Sequence, residues 1–269
     1  MITVAELCIY PIKSTYRIAL DEANVEPRGL QWDRRWMLVD ENGRFISQRE
    51  DASLTQLRST VSRDGLSVRT TAGETITIAI PTPHARREAV TVWGDQVDAA
   101  GYSEAVNAWF SRVLDRAVQL VFMDDAASRP IDPDYQARPE EEVSFADGYP
   151  LLVTTTASLA DLNTRLDSAV PMERFRPNIV LTGDLEPFEE DRWLTVDVGD
   201  VRFRAVKPCG RCVVITTDQD TGERHKEPLK TLATYRRFNK KVNFGHNLVP
   251  ESSGTIHVGD PVRVTYRDE

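Results

Sequence analysis

The chain is short of cysteine, of long apolar runs and of positive charge, and each shortage closes off a class of protein. Three cysteines, Cys8, Cys209 and Cys212, in 269 residues are too few for a disulfide framework, and their odd number fits a reducing compartment. A four-cysteine zinc or iron–sulfur site is excluded by the same count. No apolar stretch approaches the length of a membrane span, and Met1-Ile2-Thr3-Val4-Ala5-Glu6 reads as lacking the basic and long apolar parts of a signal peptide. Acidic residues outnumber basic ones by 42 to 33, and the resulting net charge of −9 repels nucleic acid and anionic membranes alike. The four histidines, His84, His225, His246 and His257, are scattered without ligand spacing. The expectation is a cytoplasmic enzyme or binding protein with no nucleic-acid or membrane partner.

What is present reads mainly as strands. Alternation over 66–70 and 75–80, around Ala72-Gly73, predicts a hairpin. Leu194, Val196 and Val198 alternate up to Gly199-Asp200, and Val201, Phe203 and Ala205 alternate after it, a second hairpin. The chain closes on Ile256 and Val258, a Gly259-Asp260-Pro261 turn, then Val262, Val264 and Tyr266. Helical spacing occurs at Ala105, Val106, Trp109, Phe110 and Val113 behind a Ser103 cap. It recurs at Leu159, Leu162 and Leu166 behind Thr156 or Ser158. Residues 123–142, rich in Asp, Pro, Arg and Glu, read as a long surface connection and the domain junction. Short, evenly spaced strands with few helices predict a mainly β, barrel-like or sandwich fold.

The tetrapeptide Cys209-Gly210-Arg211-Cys212 is the most informative feature. It stands between the run Val201–Val206, ended by Lys207-Pro208, and the β-branched run Val213-Val214-Ile215-Thr216-Thr217, so two thiols are expected on a tight loop between strands. A thioredoxin-like pair wants a helix at the first cysteine, and zinc wants two more ligands. Two half-buried structural cysteines, or one thiolate on a metal that arrives with other ligands, both survive, and Arg211 beside Cys212 favours the thiolate. Basic and polar residues gather at strand boundaries: Lys13-Ser14, Asp33-Arg34-Arg35 and Arg174-Phe175-Arg176-Pro177-Asn178. Such groups make either an anion site or ordinary paired surface charge. On composition alone, Asp147 in Ser144–Pro150 reads as a turn residue and His246 as structural.

Together these segments resemble the MOSC family, named for the molybdenum cofactor sulfurase C-terminal domain, in the form preceded by its own N-terminal β-barrel domain. The likeness runs through Tyr10-Pro11-Ile12-Lys13-Ser14, Trp32-Asp33-Arg34, Ser47-Gln48-Arg49, Val92-Trp93-Gly94, Ala146-Asp147-Gly148, Phe175-Arg176-Pro177-Asn178, Lys207-Pro208-Cys209-Gly210-Arg211-Cys212 and Phe244-Gly245-His246-Asn247. Bacterial relatives of the mitochondrial amidoxime-reducing component are the most similar form. The resemblance implies an N-terminal barrel domain over residues 1–120 and a MOSC domain over 121–269. It implies an oxidoreductase that uses the molybdenum cofactor (Mo-molybdopterin) to reduce amidoximes, N-hydroxylaminopurines and hydroxamic acids.

The resemblance also assigns roles. Cys212 is the metal ligand, and Cys209 is structural or supporting. Lys13, Ser14, Arg34, Arg176 and Asn178 match positions lining the cofactor's phosphate and pterin, which agrees with the anion-site reading. Gly210 would let backbone approach the cofactor, and Arg211 would contact it. Asp147 matches an acidic residue near the metal, where it would orient substrate or relay a proton. His246 departs from the glutamine expected there. The sequence ends at Glu269 without the cysteines of a ferredoxin domain, so electrons are expected from a separate partner such as a ferredoxin or flavin reductase. The alternative is a carrier of the cofactor, or of a persulfide on Cys212, although the cysteine-desulfurase region with its pyridoxal phosphate is absent here. A cofactor-free interaction module is a third reading.

Overall fold

Seven strands close around one cluster of buried apolar residues to form a barrel. The computed structural model describes residues 1–267. The barrel strands are β1 (Ile2–Ile9), β2 (Leu151–Thr155), β3 (Ile179–Thr182), β4 (Trp193–Val198), β5 (Val201–Arg211), β6 (Lys241–Pro250) and β7 (Pro261–Tyr266). Their order is β2-β3-β1-β7-β4-β5-β6, and β6 pairs back onto β2 to close the ring. Only β2 and β3 run parallel; the other pairs are antiparallel. Val4, Val153, Ile179, Val196, Phe203, Leu248 and Val262 lie in one buried cluster. Each barrel strand supplies one of them, so that cluster is the barrel's interior, and closure leaves no open sheet edge.

Strands on both sides of residue 120 share this barrel, because β1 pairs with β3 and β7. Nearby, Glu22–Glu26 pairs with Gly254–His257. Most of the intervening chain builds a second body from two antiparallel sheets. One orders Trp36–Val39, Gln119–Phe122, Asp95–Gly101 and Arg87–Val92; the other is Leu57–Ser62, Gly65–Thr70 and Thr75–Ala79. Helix α1 (Glu104–Val113) buries Phe110 against this body. Helices α2 (Thr156–Asn163) and α3 (Leu229–Tyr235) bury Leu162 and Leu232 in a cluster with Phe175 and Phe244. No helix of the described residues is long and apolar enough to cross a membrane.

Both expected hairpins form, and the fold is mainly β with three α-helices among the described residues. Several local readings need correction. Strand β5 does not stop at Lys207-Pro208; it continues to Arg211, accommodating Pro208 at a register shift opposite His246. Val213–Thr216 is a 3₁₀ turn rather than a strand. Strand β6 begins at Lys241, and Arg211↔Val242 is the last pair, so the β-branched residues beyond have no partner strand. Ser103 precedes α1 without a side-chain capping bond, and Thr155, not Thr156 or Ser158, caps α2, which ends before Leu166. Val258 lies in the turn after the strand Gly254–His257, and the strands on either side of that turn pair with different partners. Residues 123–142 are more than a surface connection: Met123, Ala127, Arg129 and Ile131 are buried.

Phe203 fills the barrel interior with no exposure. Phe203→Ala is expected to cost about 3–5 kcal/mol through lost burial and the cavity left behind. Urea unfolding should show this as a lowered midpoint at unchanged slope.

Candidate functional site

Five segments converge where the two bodies meet. The turn after β1 brings Lys13 and Ser14, and the turn before Trp36–Val39 brings Arg34. The loop into β2 brings Asp147, the loop into β3 brings Arg176 and Asn178, and the end of β5 brings Gly210, Arg211 and Cys212. All nine line one cavity with about 880 Å³ of empty space, partly open to solvent. Backbone bonds fix the approach of the two bodies: the Arg34 amide donates to Tyr10 O, and the Phe145 amide donates to Arg34 O at 3.0 Å.

Ser14, Arg34, Trp93 and Arg176, four residues lining this cavity, hold left-handed φ angles of 69°, 49°, 57° and 56°. Each such non-glycine residue costs on the order of 1–3 kcal/mol and persists only where its surroundings impose it. Here they do. The Arg176 guanidinium donates to Thr15 O at 2.7 Å and Gln219 Oε1 at 3.2 Å. Arg34 is held by the buried Asp33 carboxylate and by Asn178 Oδ1. Asn178 is itself a stitch: its Oδ1 also accepts from the Leu152 amide, and its Nδ2 donates to Cys8 O. Both guanidinium groups lie against the Tyr10 ring, at 4.2 and 4.1 Å.

Five cations, those of Lys13, Arg34, Arg49, Arg176 and Arg211, line the cavity against a single lining carboxylate, Asp147. Arg176 forms no ion pair among the described residues, and burial, only partly offset by Tyr10, pulls its pKa down to about 10. Lys13 is buried, and that burial lowers its pKa despite Asp147. Its ammonium donates to Asp147 Oδ1 at 2.6 Å and Phe145 O at 2.7 Å. Arg129 fixes the same loop by donating to Ser144 O, Ala146 O and Asp147 O. The crowding of Asp147 by protein pushes its carboxyl pKa up. The Lys13 charge and hydrogen bond, with Arg49 and Arg34, outweigh this and hold it well below the usual carboxylate range. Asp147 is thus a fixed anion with a side chain 68% exposed at the mouth. At neutral pH it can accept a hydrogen bond but has no proton to relay, which narrows the role expected of it.

A family model described as the MOSC domain matches residues 140–263, and one described as the MOSC N-terminal beta barrel domain matches residues 1–117. The mitochondrial amidoxime-reducing component 1 of Homo sapiens is 34% identical over 277 residues, covering 97% of this chain and 82% of that protein. The mitochondrial amidoxime reducing component 2 of Rattus norvegicus is 35% identical over 279 residues, with coverage of 97% and 82%. The component 1 of Danio rerio is 31% identical, covering 98% of this chain and 85% of that protein. The chain belongs to the MOSC family.

The cysteine motif is not the tight loop between strands that the sequence predicts. Cys209 lies within β5 and Cys212 is extended, with φ −127° and ψ −175°. Three residues of extended chain span roughly 10 Å, whereas a disulfide needs Cα atoms within about 7 Å. The thiols are therefore two separate groups. Arg211 donates to Cys209 Sγ at 3.0 Å and to Phe175 O at 2.6 Å, so its guanidinium is engaged by Cys209, and among the described residues it makes no hydrogen bond to Cys212. Gly210 faces the cavity with its backbone, while an added Cβ would point at the Lys241 side chain, 2.6 Å from its Cδ. The close approach that glycine allows here is to Lys241.

The donor set fits the molybdenum cofactor that the family implies. A half-buried thiol offers a soft ligand. The surplus of cations and the unpartnered buried Nε of Arg211 suit a phosphate. No three His, Cys, Asp or Glu among the described residues form a metal cluster, so a metal here would bring other ligands. Cys8 lies elsewhere, buried next to Arg17. His246 is fully buried outside the cavity, and burial lowers its pKa although Asp191 opposes this. Sequence reasoning gave no role to Trp93. It is 43% exposed, lies 4.3 Å from the Arg49 guanidinium and edges onto Phe45 at 5.0 Å. A tryptophan between Val92 and Gly94 in a turn was the available signal.

The separation of the thiols is testable on the folded, cofactor-free protein. Oxidised glutathione is expected to give mixed disulfides at Cys209 or Cys212 by intact mass. Loss of two hydrogens, the mark of an internal bond, should appear only after unfolding in urea; its appearance in the folded protein would contradict the extended geometry.

Proposed function

We propose that the chain is a molybdenum-cofactor-dependent reductase of N-hydroxylated compounds (amidoximes, N-hydroxylaminopurines and hydroxamic acids), fed with electrons by a separate protein. The observation that carries this reading is the convergence of the Cys212 thiol with five cations on one cavity. The chain's relatives, named for amidoxime reduction, supply the substrate class.

In this reading Cys212 holds the metal as a soft donor. Lys13, Ser14, Arg34, Arg176 and Asn178 take the phosphate and pterin, and Arg211 closes the side next to Cys209. When bound, the cofactor supplies the electron pair that breaks the N–O bond. Lys13 spends two of the three ammonium hydrogens on Asp147 and Phe145, leaving one for an anion in the cavity. Ionised Asp147 accepts a hydrogen bond from the substrate's N–OH or N–H and orients it at the mouth. Phe45 and Trp93 form an apolar wall beside it. Converting N–OH to N–H consumes two electrons and two protons and releases water. With Asp147 ionised, the protons come from Lys13 or from solvent at the open mouth.

The test is holoenzyme, its molybdenum measured by elemental analysis, given benzamidoxime and reduced methyl viologen. Benzamidine should form. Cys212→Ala should lose bound molybdenum and turnover together. Asp147→Asn should keep the metal and lose turnover by about a hundredfold, the scale of mispositioning. A metal-loaded protein that forms no benzamidine would be a cofactor carrier instead. A protein that takes up no molybdenum from a replete host would be an interaction module.

A further inference from the structure

The charges of this acidic chain are unevenly spread. Residues 224–241 hold seven Lys and Arg against one carboxylate, Glu227, so this stretch carries +6 in a chain whose total is −9. Arg224, Lys226, Lys230, Arg237, Lys240 and Lys241 are all exposed. None of these six forms an ion pair among the described residues, whereas the seventh, Arg236, is half-buried and bonds to Asp191. Glu227 forms no ion pair among the described residues either; its carboxylate accepts from the Thr231 amide in α3. Elsewhere the rule is the opposite: Arg28, Arg87, Arg129, Arg174 and Arg202 each have a carboxylate within 2.8 Å.

The stretch also borders the cavity. At one end Arg224 donates to the backbone oxygens of Gln48 and Arg49, and Arg49 lines the opening. At the other end the Lys241 side chain lies over Gly210, beside Cys209. Between them α3 packs on the 3₁₀ turn that follows Cys212. Exposed, unpaired charge at a reactive opening raises the encounter rate of an oppositely charged partner and fixes its orientation. A long polyanion is disfavoured, since the rest of the chain carries −15 against it.

We infer that this rim is the docking surface for an acidic electron-carrier protein, one whose flavin, haem or iron–sulfur group lies near a carboxylate-rich face. This rests on the reductase reading, which requires electrons at the cavity. Each turnover draws two electrons: two one-electron carriers are oxidised in succession, or one two-electron carrier once, as one N–O bond is reduced.

The experiment uses molybdenum-loaded enzyme and the triple variant Lys226→Glu, Lys230→Glu, Lys240→Glu, none of which lines the cavity. Benzamidoxime reduction is driven either by reduced methyl viologen or by reduced carrier proteins: an acidic ferredoxin, an acidic flavodoxin, an acidic cytochrome and a basic cytochrome. At least one acidic carrier should drive the wild type, and kcat/KM for that carrier should fall about tenfold or more in the variant at low salt. Viologen-driven turnover should be equal in both, which also shows that the variant is folded and loaded. Equal carrier-driven rates in variant and wild type would overturn the inference, as would turnover with the basic cytochrome alone or with no carrier at all. Retention on RNA or on anionic vesicles through these lysines, with carrier-driven rates unchanged, would assign the rim to a polyanion and overturn it too. If viologen itself drives no reduction in the wild type, the reductase reading has failed and this surface falls with it.

Discussion

Arg34 and Arg176 lie against the same Tyr10 ring, and the site depends on how those two charges, one half-buried and one buried, are contained. Arg34 is neutralised by Asp33, while Arg176 has only carbonyl and amide oxygens for partners. Taking an ion out of water costs several kcal/mol when no opposite charge compensates. Four left-handed residues around the same cavity add to that cost. The chain meets these costs with a barrel interior to which all seven strands contribute, and with Asn178, which ties β1, β2 and Arg34 together. A bound dianion would offset the surplus charge directly, and a ligand that binds only the folded form stabilises it in proportion to its excess over the dissociation constant. Apart from any chemistry, such a site is built to be filled.

The same containment decides what each acidic or thiol group can do. Lys13 fixes Asp147 as an anion, so at neutral pH that side chain can accept a hydrogen bond but not donate one. Arg211 is drawn to Cys209 and Phe175 O, which leaves Cys212 without a guanidinium contact and faces it to the cavity. A cysteine engaged by an arginine and one left open are unequal partners for a soft metal. That inequality comes from the extended backbone of β5, which puts Cys209 and Arg211 on one side.

Strand hairpins were legible because alternation is a local signal, and both expected ones form. The membership of β1 in the C-terminal barrel was not, because its partners lie more than 170 residues away and pairing leaves no mark in either strand alone. The turn after Cys212 was misread for a different reason: β-branched residues report fit to a sheet surface, not the presence of a partner, and β6 begins too late to supply one. Residues 123–142 looked like surface because Asp, Pro and Arg usually are. Yet Arg129 is buried, with three backbone carbonyls and Asp95 for partners, and it shapes the Asp147 loop. The site residues were individually weak signals. Their order along the chain, carried by a family resemblance, is what joined Lys13 to Cys212; burial, which distinguishes a structural cation from a solvated one, is a property of the fold.

Two populations of positive charge sit side by side in an acidic protein, and their burial separates their tasks. Lys13 and Arg176 are nine-tenths or more buried, so ions in solution screen them little, and they suit a ligand that is bound once and kept. The six exposed cations of residues 224–241 face water, where charges more than about 8–10 Å apart are screened at physiological salt. Charge of that kind gives fast, reversible encounters and contributes little lasting affinity. The proposed reductase, which would hold its prosthetic group and borrow its electrons, requires both behaviours within a short distance of one thiol. The fold supplies them by running β5 from the barrel interior to the cavity and setting the start of β6 beside its end, so that open Cys212 and exposed Lys241 stand at adjoining strand ends while buried Arg176 lines the same cavity from the loop into β3.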